Sequence, residues 1–246
     1  RYEPDWVAGI SIGAINAAII AGNKPEDRME KLRSFWEIIS SGLQGYSVIP
    51  GEFGRQVFNQ SSSAIVGLFG VPGFFKPRVP PALFFPSGAP QALSFYDTTP
   101  LKQTLLELVD FEYLNKGKIR LSVGAVNIRN GNFEYFDSTN RKIDVEHIMA
   151  SCAIPPGFPP VEIDGELYWD GGIVSNTPLQ YVIDSENNEN MCIFQVDLFS
   201  ATGAIPKNLF EVEQREKDIR FSSRTRLGTD IFKDAQKMRR ALERLI

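Results

Sequence analysis

Gly9-Ile10-Ser11-Ile12-Gly13 sets a hydroxyl between two glycines in the pattern G-x-S-x-G. Before it, Asp5-Trp6-Val7-Ala8-Gly9 reads as the end of a buried strand. After it, Ile12 to Ala21 is rich in Ala and Ile and reads as a buried helix. A serine at such a strand-to-helix corner has its Oγ lifted into the open, and the flanking glycines let neighbouring backbone pass closely. The helix N-terminus adds positive dipole and unbonded N–H groups where negative charge develops during acyl transfer. The Ile12 N–H is the natural candidate for one oxyanion donor. The spacing points to a nucleophilic serine, with a chance match at a strand–helix turn as the alternative.

A serine nucleophile needs a base. His147 is the only histidine, and it sits in Val145-Glu146-His147-Ile148-Met149, a helical stretch with no loop signature. In α/β-hydrolases the chain order is serine, acid, histidine. That order would require the acid before His147, so a lone helical histidine reads better as structural. The base is then a carboxylate or a lysine. Asp170 is the best candidate, because Leu167-Tyr168-Trp169 delivers it to Gly171-Gly172. Two glycines allow the carboxylate and its backbone to approach another catalytic element. Asp-Gly is also a hairpin-turn signal, so it is the pairing with Ser11 that favours a base.

The elements that must hold these groups follow from local signals. Gly22-Asn23 closes the first helix, and a second runs through Met29, Leu32, Phe35 and Trp36 at helical spacing. From Gly42 to Pro100 the chain is dense in Gly, Pro and Phe. Pro77, Pro80, Pro81, Pro86 and Pro90 exclude long helices and central strands there. This excursion reads either as an apolar, lipid-contacting lid or as a loop packed on the body by its own phenylalanines. Leu101 to Val109 predicts a helix, Ile119 to Val126 a strand, and Phe133 to Phe136 another strand after an Asn130-Gly131 turn. Asp144 caps a helix reaching Cys152, and Met191 to Phe199 reads as an apolar strand. Alternating strands and helices predict an α/β layered domain.

The whole chain bounds the function. Its 246 residues are 43% hydrophobic and 23% charged, with a formal net charge of −4. That composition excludes dominant disorder and makes a poor general nucleic-acid binder. Two cysteines, Cys152 and Cys192, make neither a disulfide framework nor a zinc cluster. No apolar run approaches the roughly 18 residues of a membrane span. Towards the end, Ile231, Ala235, Met238, Leu242 and Leu245 form one helical stripe, and Lys233, Lys237, Arg240 and Arg244 form another. Either the apolar stripe packs on the core and leaves the basic one in solvent, or the basic stripe meets anionic lipid.

Ser11 within Gly9–Gly13, combined with Asp170-Gly171-Gly172, resembles the patatin-like phospholipase family. Ala150-Ser151-Cys152-Ala153-Ile154-Pro155, Phe158-Pro159-Pro160 and Asn176-Thr177-Pro178 are similar to the family too. The resemblance covers roughly Tyr2 to Phe199. Phe95-Tyr96-Asp97-Thr98-Thr99-Pro100-Leu101 and Ser222-Ser223-Arg224-Thr225-Arg226 resemble a bacterial subgroup with an additional C-terminal region. The resemblance implies a three-layer α/β/α fold with a mainly parallel central sheet. It assigns 1–200 to a catalytic domain with a lid-like insertion at 42–100, and 201–246 to a C-terminal helical extension. It also implies a Ser11–Asp170 dyad without histidine that cleaves fatty acyl esters of (lyso)phospholipids or related lipids through an acyl-enzyme. A transacylase with the same dyad and a catalytically weak lipid-binding scaffold are the alternatives. The family's arginine-bearing oxyanion loop precedes the serine by one strand, so donors other than Ile12 are expected upstream of Arg1. No metal or organic cofactor is implied. The partners expected are a lipid or ester substrate and a membrane surface, with the protein cytoplasmic and peripheral to the inner membrane. Oligomeric state stays open.

Overall fold

The computed structural model describes residues 3–40, 70–175, 177–185 and 191–243. The whole of the 42–100 excursion before Gly70, Asn176 of the family-like segment, and Arg244 and Leu245 of the C-terminal stripes lie outside the described residues. So do the side chains of Ala235 and Arg240. The chain divides into two compact units, 1–174 and 175–246.

In the first unit, strand β1 (Trp6–Gly9) runs into helix α1 (Ile12–Ala21) through the two-residue corner Ile10-Ser11. Ala14, Ile15, Ala17, Ala18, Ile19 and Ala21 are all buried, so α1 is apolar nearly all round and lies inside the core. Gly22 ends it, donating its N–H to Ala18 O at 2.8 Å. Helix α2 (Arg28–Ser40) has the expected extent but fully buries only Phe35, while Met29 and Trp36 stay largely exposed. A short antiparallel pair, β2 (Lys76–Pro77) and β3 (Tyr96–Asp97), brackets two 3-10 turns at Ala82–Phe84 and Pro90–Leu93. Helices α3 (Thr99–Leu108) and α4 (Phe111–Leu114) lead to the central strand β4 (Arg120–Asn127). Strand β5 (Phe133–Asp137), helix α5 (Val145–Ser151), β6 (Val161–Ile163) and β7 (Glu166–Asp170) complete the unit. Leu121, Val123 and Ala125 of β4 join Ile15 and Ile19 of α1, Leu101 and Leu105 of α3, and Ile148 of α5 in one core.

The class is α/β, as expected, and the sheet is mixed. β1 and β4 are parallel, from Trp6↔Arg120 to Gly9↔Val123. β5, β6 and β7 join antiparallel. The expectation of a mainly parallel sheet thus holds among the described strands only where the helical crossover joins β1 to β4. Tight turns at Asn130-Gly131 and Asp164-Gly165 link β4 to β5 and β6 to β7. Connections that short can join only antiparallel neighbours.

The second unit holds helices α6 (Leu179–Ser185) and α7 (Leu209–Glu243). The strand expected over Met191 to Phe199 is a correction: these residues have no regular structure, and Phe194, Val196 and Leu198 are exposed. A strand needs an edge to pair its backbone, and the described elements of this unit are helices. Phe199 instead stacks on Phe221 of α7 at 4.7 Å. Arg215 holds the following turn by donating to Ser200 O (3.0 Å) and Ala201 O (2.6 Å). No helix among the described residues is long and apolar enough to cross a membrane.

Candidate active site

Three strands have their hydrogen-bond partners on β4, and the registers show how. β5 covers residues 122–126 of β4 along one edge. β1 reaches as far as Val123, and β7 ends at Ala125. Both overlap β5 in register, so they must share the opposite edge of β4. β1 and β7 therefore run toward each other along that edge, and their C-terminal ends meet at Gly124. Ser11 follows one end and Asp170 is the other. A Cβ on Gly171 would lie 2.6 Å from Gly124 O, so the first glycine after the aspartate is needed for this close approach.

The two side chains are in contact. Ser11 Oγ donates to Asp170 Oδ2 at 2.6 Å, and Gly172 N–H donates to Asp170 Oδ1 at 2.7 Å. Asp170 is 2% exposed. Burial pushes its pKa from 3.8 to about 6, against the lowering effect of the Ser11 and Gly172 hydrogen bonds. Ser11 has φ 55° and ψ −126°, a conformation that L residues adopt only when surroundings impose it. The two motif glycines differ in role. A Cβ on Gly9 would lie 2.2 Å from Gly13 O, so Gly9 must be glycine. A Cβ on Gly13 meets nothing within 4 Å, so the close passage expected at both glycines is required only at Gly9. As the first residue of α1, Ile12 has an N–H that the helix leaves unbonded.

The end of α5 clamps the corner, which the sequence reading did not foresee. Ser11 N–H donates to Ser151 O (3.1 Å) and to Ser151 Oγ (3.0 Å). Ser151 Oγ donates onward to Gly124 O at 2.7 Å. The Cys152 thiol donates to Ser11 O (3.2 Å), and Asp170 N–H donates to Ala153 O (3.0 Å). Three consecutive residues thus hold the backbones of both Ser11 and Asp170. Burial, with the charge of Asp170 nearby, pushes the Cys152 thiol well above its ordinary pKa, so it stays protonated as a donor. The only hint in the chain is the run of small residues Ala150-Ser151-Cys152-Ala153 at a helix end.

His147 has a different task. Its Nδ1 lies 2.6 Å from Asp144 Oδ1 and accepts the Asp144 N–H at 3.1 Å, forming a capping box at the start of α5. Its ring packs edge-on against Phe136, with centroids 4.8 Å apart.

A family model described as Patatin-like phospholipase matches residues 1–183. No curated protein matches the chain. Among solved structures, the chain is similar to VipD from Legionella pneumophila at 18% sequence identity and a TM-score of 0.24. That likeness covers 68% of this chain and 31% of VipD, so the chain spans about a third of the length of that protein.

Proposed function

The chain belongs to the patatin-like phospholipase family, and on that premise we propose that it is a serine acyl-ester hydrolase acting on fatty acyl esters of (lyso)phospholipids or related lipids. The family supplies the general activity, lipid acyl hydrolysis, and the three-layer α/β/α fold. The observation that carries the finer reading is the 2.6 Å hydrogen bond from Ser11 Oγ to a buried Asp170 whose pKa is near 6.

In this reading Asp170 Oδ2 takes the Ser11 proton as Oγ attacks the acyl carbonyl. The oxyanion forms beside the N-terminus of α1, where the Ile12 N–H is one donor. The protonated Asp170 returns its proton to the leaving alkoxide. A water then gives its proton to Asp170 as it attacks the acyl carbonyl, and Asp170 passes that proton to Ser11 Oγ as the fatty acid leaves, restoring both groups. The bond to Gly172 N–H holds Asp170 Oδ1 and leaves Oδ2 to the serine. The buried Cys152 and exposed Cys192, both unpaired, fit a reducing compartment. The reading therefore includes a cytoplasmic protein working peripherally at a lipid surface.

A fluorophosphonate probe tests the nucleophile directly. The wild-type chain should gain one phosphonyl adduct, mapped by peptide mass to Ser11. Ser11→Ala should gain none, and labelling at another residue would overturn the assignment.

A further inference from the structure

Residues 78–95 form a loop with a polar neck and an apolar tip. At the neck, Arg78 N–H donates to Phe95 O at 3.2 Å. The Arg78 guanidinium donates from Nε to Ser94 O and Oγ, both at 3.1 Å, and from Nη2 to Ser94 Oγ at 3.0 Å. Below the neck, Lys76 and Asp97 pair at 3.4 Å across β2 and β3. The root is anchored next to the candidate active site. Phe95 N–H donates to Pro156 O and Tyr96 N–H to Gly157 O, on the segment that follows the Ser151–Ala153 clamp. Phe75 and Tyr96 pack around Phe158 at the same place.

Beyond the neck the chemistry changes. Residues 79–96 contain no charged side chain, although the chain is 23% charged. At that average a stretch of this length would hold about four. Val79 is 92%, Leu83 91% and Phe84 78% exposed, and Leu93 and Phe95 are about half exposed. The two 3-10 turns pack on each other, so Leu83, Phe84 and Leu93 belong to one tip. Pro80, Pro81, Pro86 and Pro90 restrict its backbone, which lowers the ordering cost of binding. Among the described residues of the excursion, root and tip differ. Phe75 of the root packs on Phe158, while Val79, Leu83 and Phe84 of the tip stay exposed.

We propose that this tip inserts into the interfacial layer of a lipid bilayer and so brings the candidate active site to the surface that holds its substrate. The proposal rests on the lipid-ester reading above and assigns that reading its contact surface. The charge pattern selects a bilayer over a protein. A protein footprint carries a polar rim and about one hydrogen bond per 100–200 Å², whereas this tip offers no charged group at all. A bilayer asks for apolar side chains in the acyl layer and cations at phosphate level. The charged side chain nearest the tip is Arg78 at the neck, a cation, while one step further down Lys76 is paired with Asp97.

The test uses the full chain carrying Ser11→Ala, so that binding is read without hydrolysis. Sedimentation with phosphatidylcholine vesicles, alone or with phosphatidylglycerol, should show partitioning that survives high salt. Adding Leu83→Ser and Phe84→Ser should weaken partitioning at least tenfold while leaving circular dichroism and melting unchanged. A Phe84→Trp variant should show blue-shifted difference emission on vesicles and quenching by brominated lipid. Equal partitioning with and without the serines, no partitioning of the parent protein, or an unshifted difference emission from the Phe84→Trp variant would each overturn the proposal. The dyad is judged separately, by fluorophosphonate labelling of the wild-type chain, so either idea can fail alone.

Discussion

A carboxylate held near pKa 6 is a stronger proton acceptor than an ordinary aspartate, and it is still ionised at neutral pH. Burial supplies the shift at Asp170. Only the ionised form can take the Ser11 proton, so kcat/KM for a soluble ester should fall about tenfold per pH unit below a midpoint near 6. A pH–rate profile measures this, and a midpoint near 4 would mean that Asp170 is solvated in the working protein. Ser11→Ala and Asp170→Asn should each cut kcat by about 10³-fold or more. The double variant should lose no more than about tenfold further, because the pair acts as one unit. His147 should behave otherwise, since its Nδ1 is committed to the Asp144 cap. His147→Ala should keep turnover within about tenfold of wild type while costing roughly 1–3 kcal/mol in a urea melt, from the lost cap and buried ring. A loss of turnover as deep as that of Ser11→Ala would require a triad.

At the scale of elements, the geometry of the candidate site depends on where two strands stop. β1 and β7 meet at Gly124 of β4, and the end of α5 ties both to that point through Ser151 and Ala153. Ser151→Ala removes the Oγ link from Ser11 N–H to Gly124 O but leaves the bond to Ser151 O. We expect kcat to fall roughly tenfold, KM and the pH midpoint to hold, and stability to drop by about 1–2 kcal/mol. A shifted pH midpoint would mean that Ser151 acts through the Asp170 charge instead. Gly9→Ala should prevent the corner from forming, because its Cβ would collide with Gly13 O. Gly13→Ala should melt no lower than wild type, having open space and gaining up to about 1 kcal/mol of helix propensity. Equal damage from the two substitutions would refute this steric account. These contrasts also mark what the sequence could reveal. The elbow, α1 and its Gly22 stop were readable because strand, corner and helix signals lie within some twenty residues. The Asp170 turn was readable only once paired with Ser11. The clamp was not, since Ser151 meets Ser11 from 140 residues away and small side chains at a helix end announce nothing. The 191–199 run misled because apolar composition records a tendency to pair and says nothing about whether an edge is available.

Across the whole molecule, two buried aspartates pull stability in opposite directions with pH. Asp137 is 1% exposed and joins β5 to β4 by accepting from Arg120 Nε (2.9 Å to Oδ2) and Ser122 Oγ (2.6 Å). Trp6 of β1 enters the same network, donating to Ser122 Oγ at 2.8 Å and stacking under the Arg120 guanidinium. Burial raises the Asp137 pKa, but the bonds from Arg120, Ser122 and Thr139 outweigh it and hold the carboxyl well below the usual range. Its contribution is therefore present above about pH 4 and lost as pH falls below that. Asp170 has the reverse sign. With its folded pKa raised to about 6, the native state binds that proton more tightly than the unfolded chain does. The stability it confers is complete below about pH 4 and is lost as pH rises through about 6. A shift of about two units corresponds to roughly 3 kcal/mol. These two groups alone place the stability optimum near pH 4–5, on the acid side of the range in which Asp170 can act as a base. Asp170→Asn removes one limb. It should match wild type in thermal melts near pH 4, exceed it increasingly up to about pH 7 and keep that lead to pH 8, where about 3 kcal/mol would appear as a gain of roughly 5–10 °C. A gain that does not change between pH 4 and 8 would show that the cost at Asp170 comes from packing and not from burying its charge.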